Sequence, residues 1–402
     1  MKQKVCIDSR KVKEGDLFFA LKGEKVDGHD FLQEVAIKKA VGAVVALDYQ
    51  GEDFGLPLTR VPNVIEHLQA MAKASLKENP PFVIAITGSI GKTTTKEFLA
   101  HILEGKYRVA KTPGNANSQV GFPEAILNME GDPQILVAEM AMNVFHEIEK
   151  LVDICPPDIA VITKIGVTGA VYFKNGKEDI AKAKGEILSS PKTVLGLTFA
   201  ENRCYYNEKM TYISNVKKVG ELYQIDDSPL FGLPFEATHL CEDFALVAAV
   251  ARHLNMGWEE IIARAQTLKS YKRRFERVDR EGIVFINDSY NASPESSKAA
   301  LLNLPKTSGK KIVVFGEMLE LGNYTESGHK EVAELALESI DHLLCYGKGC
   351  APMFDVFSKG KKPVEMFTDF TELKKRVFEL IKQDDVVLLK GSNSNALWRL
   401  LD

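Results

Sequence analysis

The stretch that most restricts this chain is VIAITGSIGKTTTKEF, residues 83–98. Val83 to Ile86 form a short unbroken apolar run, the pattern of a strand buried on both faces of a parallel sheet. Thr87 follows, then a turn holding Gly88 and Gly91, then Lys92 and a helix-compatible run. A strand that leaves through a glycine-rich turn and re-enters as a helix aims backbone N–H groups at one point, where an anion is stabilised. Lys92 would neutralise β/γ-phosphates and the Thr93 hydroxyl would reach Mg²⁺. Gly88, Ser89, Gly91, Lys92, Thr93 and Thr94 are therefore the expected nucleotide-binding residues. The general G-x-x-x-x-G-K-[ST] spacing fails, because Ile86 stands five positions before Gly91. What remains is a shorter T-G-S-x-G-K-T, with the same physics.

The rest of the chain arranges itself around that loop. Its 402 residues allow two or three domains. Residues 1–78 read as a small α/β unit, with DLFFAL and GAVVALD as strands and FLQEVAIKKA at helical spacing. KENPPF, at 77–82, is a charged, proline-bearing linker. Residues 79–270 form a central domain in which ILVAEMA and IAVITKI are strands, each followed by helix-forming sequence. That alternation predicts a P-loop-ATPase-like parallel sheet with crossover helices. The stretch 192–234, rich in Tyr, Thr and Val, reads as an antiparallel edge or insertion, and helices are expected at 241–254 and 257–269. After the basic cluster YKRRFER, residues 271–402 alternate GIVFIND, KIVVFGE, HLLCYG and DDVVLLKG with helical runs, a Rossmann-like domain. The expected fold class is thus α/β in three domains.

Composition narrows the partners. A net charge of -4 gives no electrostatic case for nucleic acid or anionic lipid as principal partner. No apolar run approaches the roughly 18 residues of a membrane span, so no integral membrane segment is expected. MKQKVCIDSRKV lacks an apolar signal core, so a cytoplasmic location is expected. The six cysteines form no C-x-x-C pair and are expected as buried, reduced thiols. A monomer is expected.

Beyond the loop, five stretches share a resemblance. DSRKVKEGDLFFALKGEKVDGHDF (8–31), KTPGNANSQVGFP (111–123), AKAKGEIL (181–188), INDSYNASPESSKAAL (286–301) and GEMLELG (316–322) resemble, in the same order, segments of the Mur ligase family. These are ATP-dependent peptide ligases of the bacterial cell wall. The resemblance covers nearly the whole chain and implies three domains: one for a UDP-sugar, one for ATP, and one that closes over both. It implies that ATP phosphorylates the terminal carboxylate of UDP-N-acetylmuramoyl-tripeptide, and that the amine of D-alanyl-D-alanine then displaces the phosphate. ATP and Mg²⁺ are the implied cofactors.

On this resemblance Lys92, Glu139 and Lys184 are the catalytic set, with Thr93, Glu139 and a carbamylated Lys184 as metal ligands. Ser9 and Arg10 grip the uridine diphosphate, near Asp27, Gly28 and His29, and Asn115 and Asn117 meet sugar or acyl phosphate. Asn287, Tyr290 and Asn291 reach the nucleotide, together with an arginine that is either Arg273 or Arg274. Three stretches depart from the family. Gly169 stands where a metal-ligating histidine is usual; His239, Leu240 and Asp243 stand for H-N-x-x-N; and Asn393 stands where an arginine often follows Ser392. Two other readings stay open: another amide ligase of the superfamily, folylpolyglutamate-synthase-like or adding a single amino acid, and a diverged nucleotide-binding protein without catalysis.

Overall fold

The computed structural model of the chain describes residues 3–23, 25–206, 210–213, 216–226, 228–235 and 237–402. The chain divides into two compact units. Unit 1 comprises Met1–Thr87, Leu103–Val161 and Ala183–Leu197, and unit 2 comprises Gly88–Ile102, Ile162–Lys182 and Thr198–Asp402.

Unit 1 opens with a four-stranded parallel sheet of β1 (Val5–Cys6), β2 (Leu17–Phe19), β3 (Gly42–Ala46) and β4 (Leu58–Val61), in sequential order. Helix α1 (Leu32–Ile37) falls between β2 and β3, and α2 (Val64–Ser75) follows β4. Phe18, Leu32, Val35, Ala43 and Val45 pack as its core, consistent with strands that read as apolar runs because both faces are covered. The Asn63 side chain accepts from the N–H groups of Ile65 and Glu66 at 3.0 and 3.1 Å, which starts α2 directly after β4.

From the linker the chain enters β5 (Phe82–Thr87) and runs through α3 (Lys92–Leu103), β6 (Val109–Lys111), α4 (Gly121–Leu127), β7 (Ile135–Glu139), α5 (Glu147–Ile154), β8 (Ile159–Ile162), α6 (Lys177–Gly185) and β9 (Leu195–Phe199). Strands β9, β8, β5, β7 and β6 are neighbours in that order, and β5, β7 and β6 are parallel. Ile86 pairs with Glu139, so β5 and β7 end side by side. Ligands of parallel α/β sheets bind beyond such carboxyl ends.

In unit 2, β10 (Met210–Ile213) neighbours β9, and β11 (Val216–Val219) pairs antiparallel with β12 (Leu222–Ile225). Residues 207–209, 214–215 and 227 of the expected antiparallel stretch lie outside the described residues. Helices α7 (Thr238–His253) and α8 (Trp258–Ala265) follow. The chain then forms β13 (Glu276–Arg280), β14 (Ile283–Asp288), α9 (Pro294–Leu302), β15 (Lys311–Gly316), α10 (Thr325–Ser339), β16 (His342–Tyr346), α11 (Ala351–Lys359), β17 (Val364–Phe367), α12 (Phe370–Leu380) and β18 (Val386–Lys390). Its sheet runs β13-β14-β18-β15-β16-β17, antiparallel at β13–β14 and parallel elsewhere. Phe285, Val314, Leu344, Val387 and Leu389 pack inside it. This is the Rossmann-like part, and β14, β15 and β18 deliver Asp288, Gly316 and Lys390 at their carboxyl ends.

The architecture is the α/β class expected, with a central parallel sheet and crossover helices. Among the described residues no helix is long and apolar enough to cross a membrane. All six cysteines are unpaired and five are buried, but Cys204 is exposed, against the expectation for it.

Candidate functional site

Backbone sterics at the phosphate loop explain both of its glycines. Gly88 has φ +142° and Gly91 has φ +89°, conformations that favour glycine. Space forbids a side chain as well: a Cβ on Gly88 would collide with the Thr163 hydroxyl, and one on Gly91 with the Asp243 carboxylate. The residues after β8 brace the loop. Ser89 and Ile90 donate their N–H groups to the Lys164 carbonyl at 2.9 and 3.3 Å. Ser89 Oγ donates to the Gly166 carbonyl at 3.2 Å, and Thr163 Oγ1 donates to the Ile90 carbonyl at 2.6 Å. Lys92 curls over the loop, its Nζ donating to the carbonyls of Gly88 (2.8 Å) and Ser89 (3.3 Å). Val167 N–H donates to Glu295 Oε1 at 3.1 Å, tying this brace to the start of α9.

Of the two arginines, Arg274 is the one beside the loop. Its Nη2 donates to Thr93 Oγ1 at 3.1 Å while its guanidinium lies 3.7 Å from the Tyr290 ring centre. Arg273 turns to the Trp398 ring, 3.8 Å away, so it is neither at Thr93 nor a solvated linker residue. The divergence has a backbone cause: Arg273 and Phe275 both have positive φ, +62° and +51°. Arg273 N–H donates to Glu276 Oε2 at 2.9 Å and Phe275 N–H to Asp288 Oδ1 at 3.0 Å. Asn287 is engaged inside the fold, its Nδ2 donating to Glu276 Oε2 at 3.1 Å and its Oδ1 accepting from Ser289 Oγ at 2.6 Å. Tyr290 and Asn291, with Leu319, Ser392, Asn393 and Trp398, border a cavity of about 510 Å³.

In unit 1, Glu139 is not an exposed strand-end acid; it is 2% exposed. Its N–H donates to Thr112 Oγ1 at 3.0 Å, and Asn117 Nδ2 donates to its Oε1 at 2.7 Å. Asn117 thus orients a carboxylate. Asn115 is exposed on the same loop and meets Asn117 through its carbonyl, which accepts the Asn117 N–H at 2.8 Å. Lys184, on α6, is 5% exposed, unlike a solvated helix lysine.

The N-terminal motif is held by its own pairs. Arg10 donates to both Asp8 oxygens at 2.9 Å, and that contact holds the Asp8 carboxyl below the usual range. Arg10 is nonetheless exposed, and Ser9 is buried, its Oγ donating to Glu34 at 3.3 Å. His29 is structural: Ala46 N–H donates to its Nε2 at 3.0 Å, so the proton sits on Nδ1 and faces Asp27 at 2.5 Å.

Sequence reasoning passed over Thr163, Asp288, Glu295 and Lys390. Lys390 carried a signal, a cation closing the apolar run VVLLK.

The chain matches three family models in succession: the Mur ligase family catalytic domain over residues 3–107, the Mur ligase middle domain over 86–223, and the Mur ligase glutamate ligase domain over 273–393. It is 33% identical to the UDP-N-acetylmuramoyl-tripeptide–D-alanyl-D-alanine ligase of Bacillus subtilis, over 98% of this chain and 91% of that one. The chain belongs to the Mur ligase family. Solved structures agree: the MurF ligase of Thermotoga maritima in complex with ADP has a TM-score of 0.83 at 28% identity, covering 100% of this chain and 96% of that one. MurF of Acinetobacter baumannii has a TM-score of 0.84 at 25% identity, covering 99% and 92%.

The family departures have distinct settings. Gly169 sits at φ +85° with nothing within 4 Å of where a Cβ would be. Backbone conformation, not crowding, suits glycine there. Asp243 is buried against Gly91, and burial pushes its carboxyl well above the usual range, with Lys164 and Arg274 opposing. His239 lies edge-on to Phe275 at 4.9 Å, and burial pushes its imidazole down to about 4.

Proposed function

We propose that this protein is an ATP-dependent ligase that joins D-alanyl-D-alanine to UDP-N-acetylmuramoyl-tripeptide in the synthesis of peptidoglycan precursor. Identity of 30–33% over nearly the whole chain to ligases of that name carries the reading. The phosphate loop, flanked by Lys92 and Arg274, supplies its chemistry.

A carboxylate and a triphosphate repel one another, so the first step needs fixed cations. Lys92 stabilises the β/γ-phosphates, and Arg274 lies beside Thr93 where negative charge develops. A carboxylate oxygen attacks the γ-phosphorus, the bond to the β-phosphate oxygen breaks, and ADP leaves. The amine of the dipeptide then attacks the acyl carbon, the C–O bond to phosphate breaks, and the nitrogen loses a proton. Mg²⁺ suits the donors present: the Thr93 hydroxyl and the Glu139 carboxylate are hard oxygen ligands. Among the described residues no three His, Cys, Asp or Glu side chains cluster to hold a metal. Bound to those donors, Mg²⁺ would neutralise phosphate charge. Asn117 orients Glu139, and a carbamylated Lys184 would add an anionic oxygen ligand. Ser9, Arg10 and Asn115 serve the UDP-sugar side.

Three segments divide the labour: 1–78 for the UDP-sugar, 79–270 for ATP and 271–402 for closure. The enzyme acts as a cytoplasmic monomer. Purified protein with ATP, Mg²⁺ and UDP-N-acetylmuramoyl-tripeptide tests the reading by phosphate release. Release that requires D-alanyl-D-alanine is expected. Release with single amino acids would move the protein to another branch of the family, and none with any acceptor would leave a nucleotide-binding protein without catalysis.

A further inference from the structure

Lys390 closes β18 with its side chain 2% exposed, inside the Rossmann-like part of unit 2. An ammonium buried this deeply needs partners. It has two: Nζ lies 2.7 Å from Asp288 Oδ2 and donates to the Asn291 carbonyl at 2.8 Å. Asp288 itself looks two ways, since its other oxygen, Oδ1, accepts the N–H of Phe275 at 3.0 Å. Phe275 is one of the two left-handed residues that flank Arg274. Non-glycine residues persist at positive φ only where their surroundings over-determine them. Here the restraints are Asp288 on Phe275, Glu276 Oε2 on the Arg273 N–H at 2.9 Å, and Tyr290 N–H on the Arg273 carbonyl at 3.2 Å. Lys390 anchors the first directly and the third through the Asn291 carbonyl, one residue from Tyr290.

The consequence lies at the far end of this chain of contacts. The turn presents the Arg274 guanidinium to Tyr290 at 3.7 Å and to Thr93 Oγ1 at 3.1 Å. Among the described residues Arg274 Nε has no hydrogen-bond partner although it is buried, so the guanidinium keeps a spare donor. We infer that the buried Lys390–Asp288 pair is a positioning device: it holds the 273–275 turn in its left-handed form so that Arg274 faces the phosphate loop. Neither Lys390 nor Asp288 need touch the substrates for this. The inference rests on the nucleotide-using reading above and adds two residues that the reading does not use.

The test is a coupling measurement on the full chain. Lys390→Met removes the charge at similar volume, and Lys390→Met with Asp288→Asn removes both charges, so that no lone buried carboxylate remains. Each is made in the parent and in an Arg274→Ala background, with ATP affinity measured by calorimetry and turnover by phosphate release. Lys390→Met is expected to lower turnover ~10²-fold in the parent, the scale of a displacement of about 1 Å at a reacting centre. In the Arg274→Ala background it should lower turnover little further, because the group it positions is gone. The double variant, with its lone charge removed, should recover thermal stability but not turnover. Equal loss of turnover in both backgrounds would overturn the inference, as would full recovery of turnover in the double variant. If the parent itself shows no acceptor-dependent turnover, the proposed function fails; ATP affinity then carries the same comparison, and equal weakening in both backgrounds would overturn the positioning role.

Discussion

Gly91→Ala is the sharpest probe of the phosphate loop, because its cost has two separable parts. The backbone at Gly91 has φ +89°, and an L-residue there costs on the order of 1–3 kcal/mol. The second part is steric: the new Cβ would run into the Asp243 carboxylate, which is buried on α7. Either the loop or α7 must move, and a displacement of about 1 Å at a reacting centre costs ~10²-fold in rate. We expect kcat/KM for ATP to fall by at least ~10²-fold, read by coupled ADP release. The parts separate in an Asp243→Ala background, where the collision is gone and the backbone cost remains. There the same substitution should cost only ~10-fold, the equivalent of about 1.4 kcal/mol. An equal factor in both backgrounds would refute the steric argument, and near-parental activity of Gly91→Ala would refute the geometry of the loop.

Lys92→Ala should reduce turnover by at least ~10²-fold, the scale for losing one fixed charge, and near-normal turnover would reject its phosphate role. Asn117→Leu removes the donor that orients Glu139 Oε1, so the Mg²⁺ concentration for half-maximal activity should rise several-fold with little change in thermal stability; an unchanged Mg²⁺ curve would reject it. His239 is held neutral by burial, down to about 4, against an unfolded value of about 6.5. As pH falls the unfolded chain takes the proton first, so the contribution to stability is present above about 6.5 and lost toward about 4. The gap is worth ~3 kcal/mol. Urea denaturation at about pH 7.5 and pH 4 should show the parent losing that much more than His239→Leu, and parallel losses would refute it.

The sequence made the apolar strands legible because they are buried on both faces. Continuous runs such as GAVVA, ILVAE and VVLLK are short and rich in β-branched residues, the pattern of strands covered on both faces. Strands that lack such a run were missed. β13 reads ERVDR with only intermediate or exposed positions, the polar dress of an edge strand, and nothing in its periodicity separates it from a loop. The phosphate loop was legible for a stronger reason: its glycines answer to φ and to close approach, and Lys92 and Thr93 follow at fixed offsets. Asn287 was not. The asparagine just ahead of DSYN reads as a ligand-facing amide, and the sequence does not show that its Nδ2 donates to Glu276 and its Oδ1 accepts from Ser289. Its partner Glu276 stands opposite it across the β13–β14 hairpin, a register that the polar, aperiodic sequence of β13 does not announce.

The same distinction decides how the family departures should be weighed. A missing residue matters according to what its replacement is surrounded by, and surroundings are long-range. Asp243 replaces an expected amide with an acid, which in water would exchange donors for a charge. It is buried against Gly91, however, and burial pushes its carboxyl well above the usual range, toward the neutral form. A neutral carboxyl carries one donor and one acceptor, close to what an amide offers. Gly169 is the opposite case. Its backbone is left-handed, and among the described residues nothing lies within 4 Å of where a Cβ would stand. The two departures look alike in the sequence, one residue exchanged in each, but physically the first approaches conservation and the second removes a side chain outright. Changes in metal dependence, more than in nucleotide affinity, are what this pair of settings argues for.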